Sequence, residues 1–127
     1  MDEQMKILDL PLKAQWYDMI EKGEKREEYR EIKPFWYQRL YQRKKEFLSD
    51  VGKLTKEDAE YACEPDLRYI LIYGFKDTEL KPFTHVRFRY GYTKRTMLFE
   101  IVSITVGKGK PEWGAPTDKE VFIIKFE

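Results

Sequence analysis

Three side chains with complementary chemistry lie close together in the stretch Gly23-Glu24-Lys25-Arg26-Glu27-Glu28-Tyr29-Arg30: Lys25, Glu28 and Arg30. The guanidinium of Arg30 is a planar fork of donors that can hold a carboxylate or a phosphate at two points. A Glu28 held in that way stays ionised and can accept hydrogen bonds, for example from the exocyclic amine of a base. Lys25 is a compact cation that can meet a phosphate or polarise a carbonyl, and burial would disfavour its ammonium form unless Glu28 compensates. Such a set suits nucleotide binding and is compatible with general acid–base chemistry. The plain structural alternative is an ion pair between Glu28 and Arg30 that ties elements together, with Lys25 in solvent.

The elements around this stretch decide how it is presented. Met5 to Leu10 reads as a first strand, and Pro11 is placed to end it and open a helix, where a missing N–H costs nothing. Leu12, Trp16, Met19 and Ile20 then share one helical face, which reads as core packing. Gly23 suits the left-handed residue that ends this helix, and Lys22 suits the negative end of its dipole. Arg26 to Ile32 has no apolar period. As a helix it sets Glu27 three residues from Arg30; as a strand it puts Arg26, Glu28 and Arg30 on one face and Glu27, Tyr29 and Glu31 on the other. Pattern alone leaves these two equal.

Pro34 begins a second helix, with Trp36, Leu40 and Phe47 toward the core and a basic side made by Arg39, Arg43, Lys44 and Lys45. Such a charge run reads first as a solvated face. A third short helix is expected from Thr55 through Cys63, closed by Pro65. Beyond it Leu67 to Tyr73 reads as a buried strand and Gly74 to Pro82 as a polar loop. Val86, Phe88 and Tyr90 alternate with Arg87 and Arg89, a strand with two faces. Gly91 to Arg95 reads as a hairpin turn, Thr96 to Val106 as a long strand, Gly107 to Asp118 as a loop and Val121 to Phe126 as the last strand. Helices mainly in the first half and strands mainly in the second imply an α+β fold with one curved, largely antiparallel sheet that could close into a β-barrel.

Composition narrows the function classes. The chain of 127 residues fits one domain, 1–127, and its hydrophobic fraction of 42% is enough for a core. Charged residues make up 37% but leave a net charge of only +1, so there is no overall basic footprint for duplex nucleic acid. One cysteine, Cys63, excludes an internal disulfide and a cysteine-based zinc site, and one histidine, His85, leaves little for a histidine-rich metal site. No cofactor and no metal are expected. The longest strongly apolar run, Tyr69 to Tyr73, is far short of a membrane span, and Met1 to Gln4 lacks the features of a signal peptide. The expectation is a soluble cytoplasmic protein without membrane contact.

Gly23, Lys25, Glu28 and Arg30 together form the pattern G-x-K-x-x-E-x-R, which resembles the signature of the ASCH domain, a relative of the PUA domain. Leu10 to Lys13 and Trp16 to Ile20 look like the strand and helix leading into that signature. Val86 to Tyr92, the Pro111 to Pro116 loop and the Val121 to Phe126 strand look like small bacterial or phage members, so the resemblance spans nearly the whole chain. It implies a PUA-like mixed or antiparallel β-barrel with two to three flanking helices, a strand at Arg26 to Ile32, and a cleft in or beside which the signature lies. Related domains are associated with RNA binding. One branch hydrolyses an acetylated cytidine nucleoside with a lysine, a threonine and a glutamate. Lys25 matches the lysine, Glu28 stands where that branch has threonine, and Glu112 is a loose counterpart of its glutamate.

The resulting expectation is a module that binds RNA or a modified, nucleotide-like small molecule through Gly23, Lys25, Glu28, Arg30, Arg87, Arg89 and Trp113. Lys25 and Glu28 are the candidate catalytic pair should the protein be an enzyme. Alternatives are a hydrolase of a modified nucleoside resembling the acetylcytidine amidohydrolases, a ribonuclease, or a protein-interaction domain in which the signature is structural. Arg87 and Arg89 read equally as a solvated sheet face, and Trp113 equally as a lid over the barrel end or as a stacking platform worth roughly 1–3 kcal/mol per base. The oligomeric state is left open.

Overall fold

Leu8, Leu10 and Leu12 are buried while Asp9 and Pro11 between them are exposed, the alternation of a strand with one face on a core. This strand, β1 (Ile7–Leu12), opens a computed structural model that describes residues 4–43 and 78–127. Then follow α1 (Ala14–Glu21), β2 (Glu27–Glu31), α2 (Pro34–Leu40), β3 (Tyr41–Arg43), β4 (Thr78–Leu80), β5 (His85–Tyr90), β6 (Thr96–Gly107), a 3-10 turn (Pro111–Trp113) and β7 (Val121–Phe126). The chain divides into two compact units, Met1–Arg30 with Pro82–Glu127, and Glu31–Lys81.

The first unit is built on a five-stranded mixed sheet in the order β1-β5-β6-β7-β2. β1 runs parallel to β5, with Leu8 beside Val86 and Leu10 beside Phe88. β5 and β6 form an antiparallel hairpin, and β6 pairs antiparallel with β7, with an irregularity between Ile101 and Ser103. Phe88, Phe99 and Phe126 meet in the core with centroids 4.8–6.0 Å apart. Phe88 and Phe126 are fully buried, and each contributes roughly 1.5–3 kcal/mol. Tyr17 and Ile20 are the buried residues of α1, and Tyr17 meets Tyr90 of β5 edge-on at 5.2 Å.

Two sequence expectations change here. Pro11 does not end β1; the strand runs to Leu12 and α1 begins after Lys13. The reason is position: β1 is an edge strand, and proline's missing N–H is tolerated where it faces no partner. The sheet is mixed, one of the two arrangements expected, because β1 runs parallel to β5. It is not closed into a barrel, however: β1 and β2 are its two edges. A side chain spans the two edges in place of a ladder, since Arg30 Nη2 of β2 donates to the Pro11 carbonyl of β1 at 3.1 Å. Leu12 turns its carbonyl inward to the Gly91 N–H, so Pro11, one residue back, turns its carbonyl out to the seam.

In the second unit Tyr37 and Leu40 are the buried residues of α2. The Tyr37 hydroxyl shares a 2.7 Å hydrogen bond with Thr78, and its ring stacks on Tyr41 at 5.1 Å. β3 pairs antiparallel with β4, and the Lys81 N–H closes the ribbon on the Leu40 carbonyl. Burial, reinforced by Tyr37, pushes the Tyr41 hydroxyl up to about 12. The second helix is therefore shorter than its periodicity implies. It stops at Leu40 because Tyr41 is extended, with φ −116° and ψ 157°, and joins a strand pair whose partner falls inside the expected Gly74–Pro82 loop. Phe47, the helix expected from Thr55 and the strand expected at Leu67–Tyr73 lie outside the described residues. No helix among the described residues is long and apolar enough to cross a membrane.

Candidate functional site

The charged stretch owes its shape to the end of α1. Gly23, at φ +79°, sends its N–H to the Ile20 carbonyl at 3.0 Å, and Glu24 sends its own to Met19 at 2.8 Å. This pair of bonds is a Schellman motif, which needs the left-handed residue that glycine supplies without steric cost. Gly23 thus shapes the turn. The reversal delivers Lys25 to the interior and starts β2 in the extended conformation. In β2 the residues two apart pair on each face. Arg30 binds Glu28 on one face, and Tyr29 donates to Glu27 Oε1 at 2.8 Å on the other. The strand reading of this segment holds, with the faces divided as a strand requires.

Lys25 is 1% exposed and Glu28 4%. The ammonium contacts Glu28 Oε1 at 3.0 Å and donates to the Trp113 carbonyl. It also lies over the rings of Trp16, at 4.6 Å, and Tyr29, at 5.2 Å. Glu28 Oε2 is taken by Arg30 Nη1, which also donates to the Tyr29 carbonyl at 3.0 Å. The three residues form a ladder, Lys25–Glu28–Arg30, whose last member reaches the surface with 16% of its side chain exposed. Burial pulls the Lys25 ammonium below its ordinary value, and the attraction of Glu28 offsets part of that. The alternative with Lys25 in solvent does not hold.

The same segment clamps the loop before β7 at two points. Lys25 holds the Trp113 carbonyl, and the Tyr29 hydroxyl accepts the Lys110 N–H at 3.0 Å. Burial, together with its bond to Glu27, pushes the Tyr29 hydroxyl well above its ordinary value, although the Lys110 N–H acts against this. Tyr29, Ala115 and Val121 form a small core against which Trp113 and Ile123 pack. The fit is close at two glycines. A Cβ at Gly109 would lie 2.7 Å from Ala115 Cβ and would overlap the Tyr29 ring; one at Gly114 would lie 3.0 Å from the Trp16 ring. Gly109→Ala is accordingly expected to destabilise the protein by about 1–3 kcal/mol, the usual cost of overpacking. Urea denaturation would measure it, and a neutral result would mean that the loop does not sit on Tyr29.

Not every candidate joins the ladder. Arg87 and Arg89 project from the face of β5 opposite buried Val86 and Phe88, and both reach Asp9 of β1, at 3.6 and 4.0 Å. Trp113 is half-buried; its indole carries the Lys110 ammonium at 4.1 Å, while its carbonyl is what binds Lys25. Glu112 is exposed. His85 shares a hydrogen bond with Thr84 at 2.7 Å. Sequence reasoning missed Trp16 as a cation–π partner, the carbonyls of Pro11 and Trp113, and Gly109. Backbone acceptors carry no signature in a sequence, and Trp16 had a sufficient reading as core. Among the described residues no group of three or more His, Cys, Asp and Glu is placed to hold a metal ion.

Comparison with protein-family models, with curated proteins and with solved structures gave no match in any of the three.

Proposed function

We propose that this chain is an ASCH-like, PUA-like module that binds single-stranded RNA or a modified nucleotide beside the Lys25–Glu28–Arg30 ladder. One observation carries the reading: a lysine and a glutamate of the signature are buried as an ion pair that ends on a surface arginine. Apolar residues of similar volume would serve stability as well or better in such a place, so a buried pair is a poor investment for folding alone. A ligand phosphate or carbonyl would approach at Arg30, whose guanidinium has five N–H groups in a fixed fork. The half-buried Trp113, held on its loop by Lys25, is the neighbouring surface on which a base would stack.

The test is a titration of nucleosides, acetylcytidine among them, and of short single-stranded RNA at low salt. RNA affinity is expected to fall with rising salt and to drop about tenfold in Arg30→Ala. Absence of binding to all of these probes would end the proposal. A hydrolytic reading is favoured by one feature, the contact of Lys25 Nζ with Glu28 Oε1 at 3.0 Å, which sets an amine beside an acid as general acid–base work requires. In that reading Glu28 occupies the position of the nucleophilic threonine and acts as the acidic partner. Turnover of acetylcytidine that Lys25→Met abolishes would select it over binding alone.

A further inference from the structure

Away from the ladder, the β5–β6 hairpin tip is built more firmly than a simple reversal requires. The Gly91 N–H binds the Leu12 carbonyl at 2.8 Å, and the Tyr90 N–H binds the Arg95 carbonyl at 2.9 Å. Thr93 donates its hydroxyl to the Tyr90 carbonyl at 2.6 Å, and Arg89 donates to the Thr93 carbonyl at 3.0 Å. Arg95 Nη2 donates to both carboxylate oxygens of Glu21 of α1, each at 2.9 Å, and the guanidinium lies over the rings of Tyr17 and Tyr90. Two side chains of the tip take no part in this among the described residues, Tyr92 and Lys94. Tyr92 is 96% exposed on a turn that does not bend to cover it.

The charges around it are arranged with one sign outward. Lys94 is exposed on the tip, and Lys13 is exposed next to Leu12, the residue that holds Gly91. Arg89 and Arg87 continue along the outer face of β5. Acids are present, but each faces a particular arginine. Asp9 lies against Arg87 and Arg89 at 3.6 and 4.0 Å, and Glu21 and Asp18 face Arg95. Exposed ion pairs at such distances are worth little and exchange readily for a phosphate partner. A lone exposed aromatic ring without apolar neighbours is a poor anchor for a protein partner, whose hot spots are desolvated pockets. It is a good one for a base, because every base has a π-face and the backbone that carries the ring is already fixed by the bonds of the tip.

We infer that the hairpin tip is a second contact for single-stranded RNA, in which Tyr92 stacks on one base while Lys94, Lys13 and Arg89 hold the adjoining phosphates. This rests on the RNA-binding reading and adds to it a site that the signature does not contain. The strand would run from the tip along Arg89 and Arg87.

The experiment is a fluorescence-anisotropy titration of a labelled oligouridylate of about ten nucleotides, within the span of small single-strand binding folds. Tyr92→Ser is expected to weaken binding roughly five- to a hundredfold, the range of one aromatic–base stack, while Tyr92→Phe keeps affinity within about twofold. Lys13→Ala with Lys94→Ala is expected to reduce the salt slope by about 1.4, two single-strand phosphate contacts. Tyr92 is solvated, so these variants fold. Binding by the wild type that Tyr92→Ser leaves unchanged overturns the tip contact, and a loss in Arg30→Ala in the same series then keeps the ladder reading. A loss in Tyr92→Ser with none in Arg30→Ala keeps the tip and removes the ladder. No binding of the oligonucleotide by the wild type overturns the tip, and the nucleoside titration then decides the ladder separately.

Discussion

Glu28→Ala is expected to lower the free energy of unfolding by about 3–5 kcal/mol, the cost of leaving a buried charge without its partner. Glu28 stands between two cations, with Lys25 at 3.0 Å on one oxygen and Arg30 on the other. Arg30 can turn to solvent when the carboxylate is gone. Lys25, 1% exposed, cannot; it would retain the Trp113 carbonyl and two ring faces, without a counter-charge. A domain of ordinary stability, about 5–15 kcal/mol, would lose a large share of it. Glu28→Gln keeps one acceptor toward Lys25 and is expected to cost less, about 1–3 kcal/mol. Urea unfolding with an unchanged slope would measure both. A loss below about 1 kcal/mol for Glu28→Ala would mean that Lys25 is not enclosed as described.

The order of elements in the first unit was legible because its signals are local. Gly23 after an apolar helix marks the Schellman turn, and Val86-Arg87-Phe88-Arg89 marks a strand with an inner and an outer face. β2 was not legible from pattern. Its sequence, Glu-Glu-Tyr-Arg-Glu, has no apolar alternation, and what holds it is its place beside β7 in the sheet together with contact with a loop more than 80 positions away, 88 for Lys25 to Trp113 and 81 for Tyr29 to Lys110. The resemblance supplied the strand that the residues alone left undecided. Pro11 misled because its missing N–H was read as a helix start, when an edge strand tolerates the same defect. α2 was overestimated because Phe47 extended its apparent period past Tyr41, where aromatic residues favour the strand that forms.

The candidate residues divide along the same line. Lys25, Glu28 and Arg30 come together because their spacing works on a strand entered from a tight turn. Arg87 and Arg89 were grouped with them by charge, and the sheet puts them on its outer face with Asp9. Charge alone does not say which side of a sheet a residue serves; the period of two in β5 does. The Trp113 indole was singled out, yet its carbonyl makes the bond to Lys25.

Lys25→Met isolates what the buried cation does. The variant fills the same space and removes the charge, while Arg30 still holds Glu28. The expected cost is about 2–4 kcal/mol, less than for Glu28→Ala because the stranded charge has a second partner. Joining it to Glu28→Leu is expected to recover stability to within about 1–2 kcal/mol of the wild type, since buried ion pairs replaced by well-packed apolar residues are often neutral or better. Alkaline pH gives an independent check. Burial holds Lys25 below its ordinary value of 10.5, so between its folded value and 10.5 the unfolded chain binds more protons. Wild-type stability relative to Lys25→Met should therefore rise with pH through that window and be constant below it. The comparison must be a difference, because the raised Tyr29 hydroxyl lowers the stability of both proteins as pH rises above 10.0. A flat difference would mean that Lys25 reaches water. If the double variant is as stable as the wild type but no longer binds nucleotide or RNA, the ion pair serves the ligand; if binding survives, the ladder is scaffold and the hairpin tip is where a ligand is held.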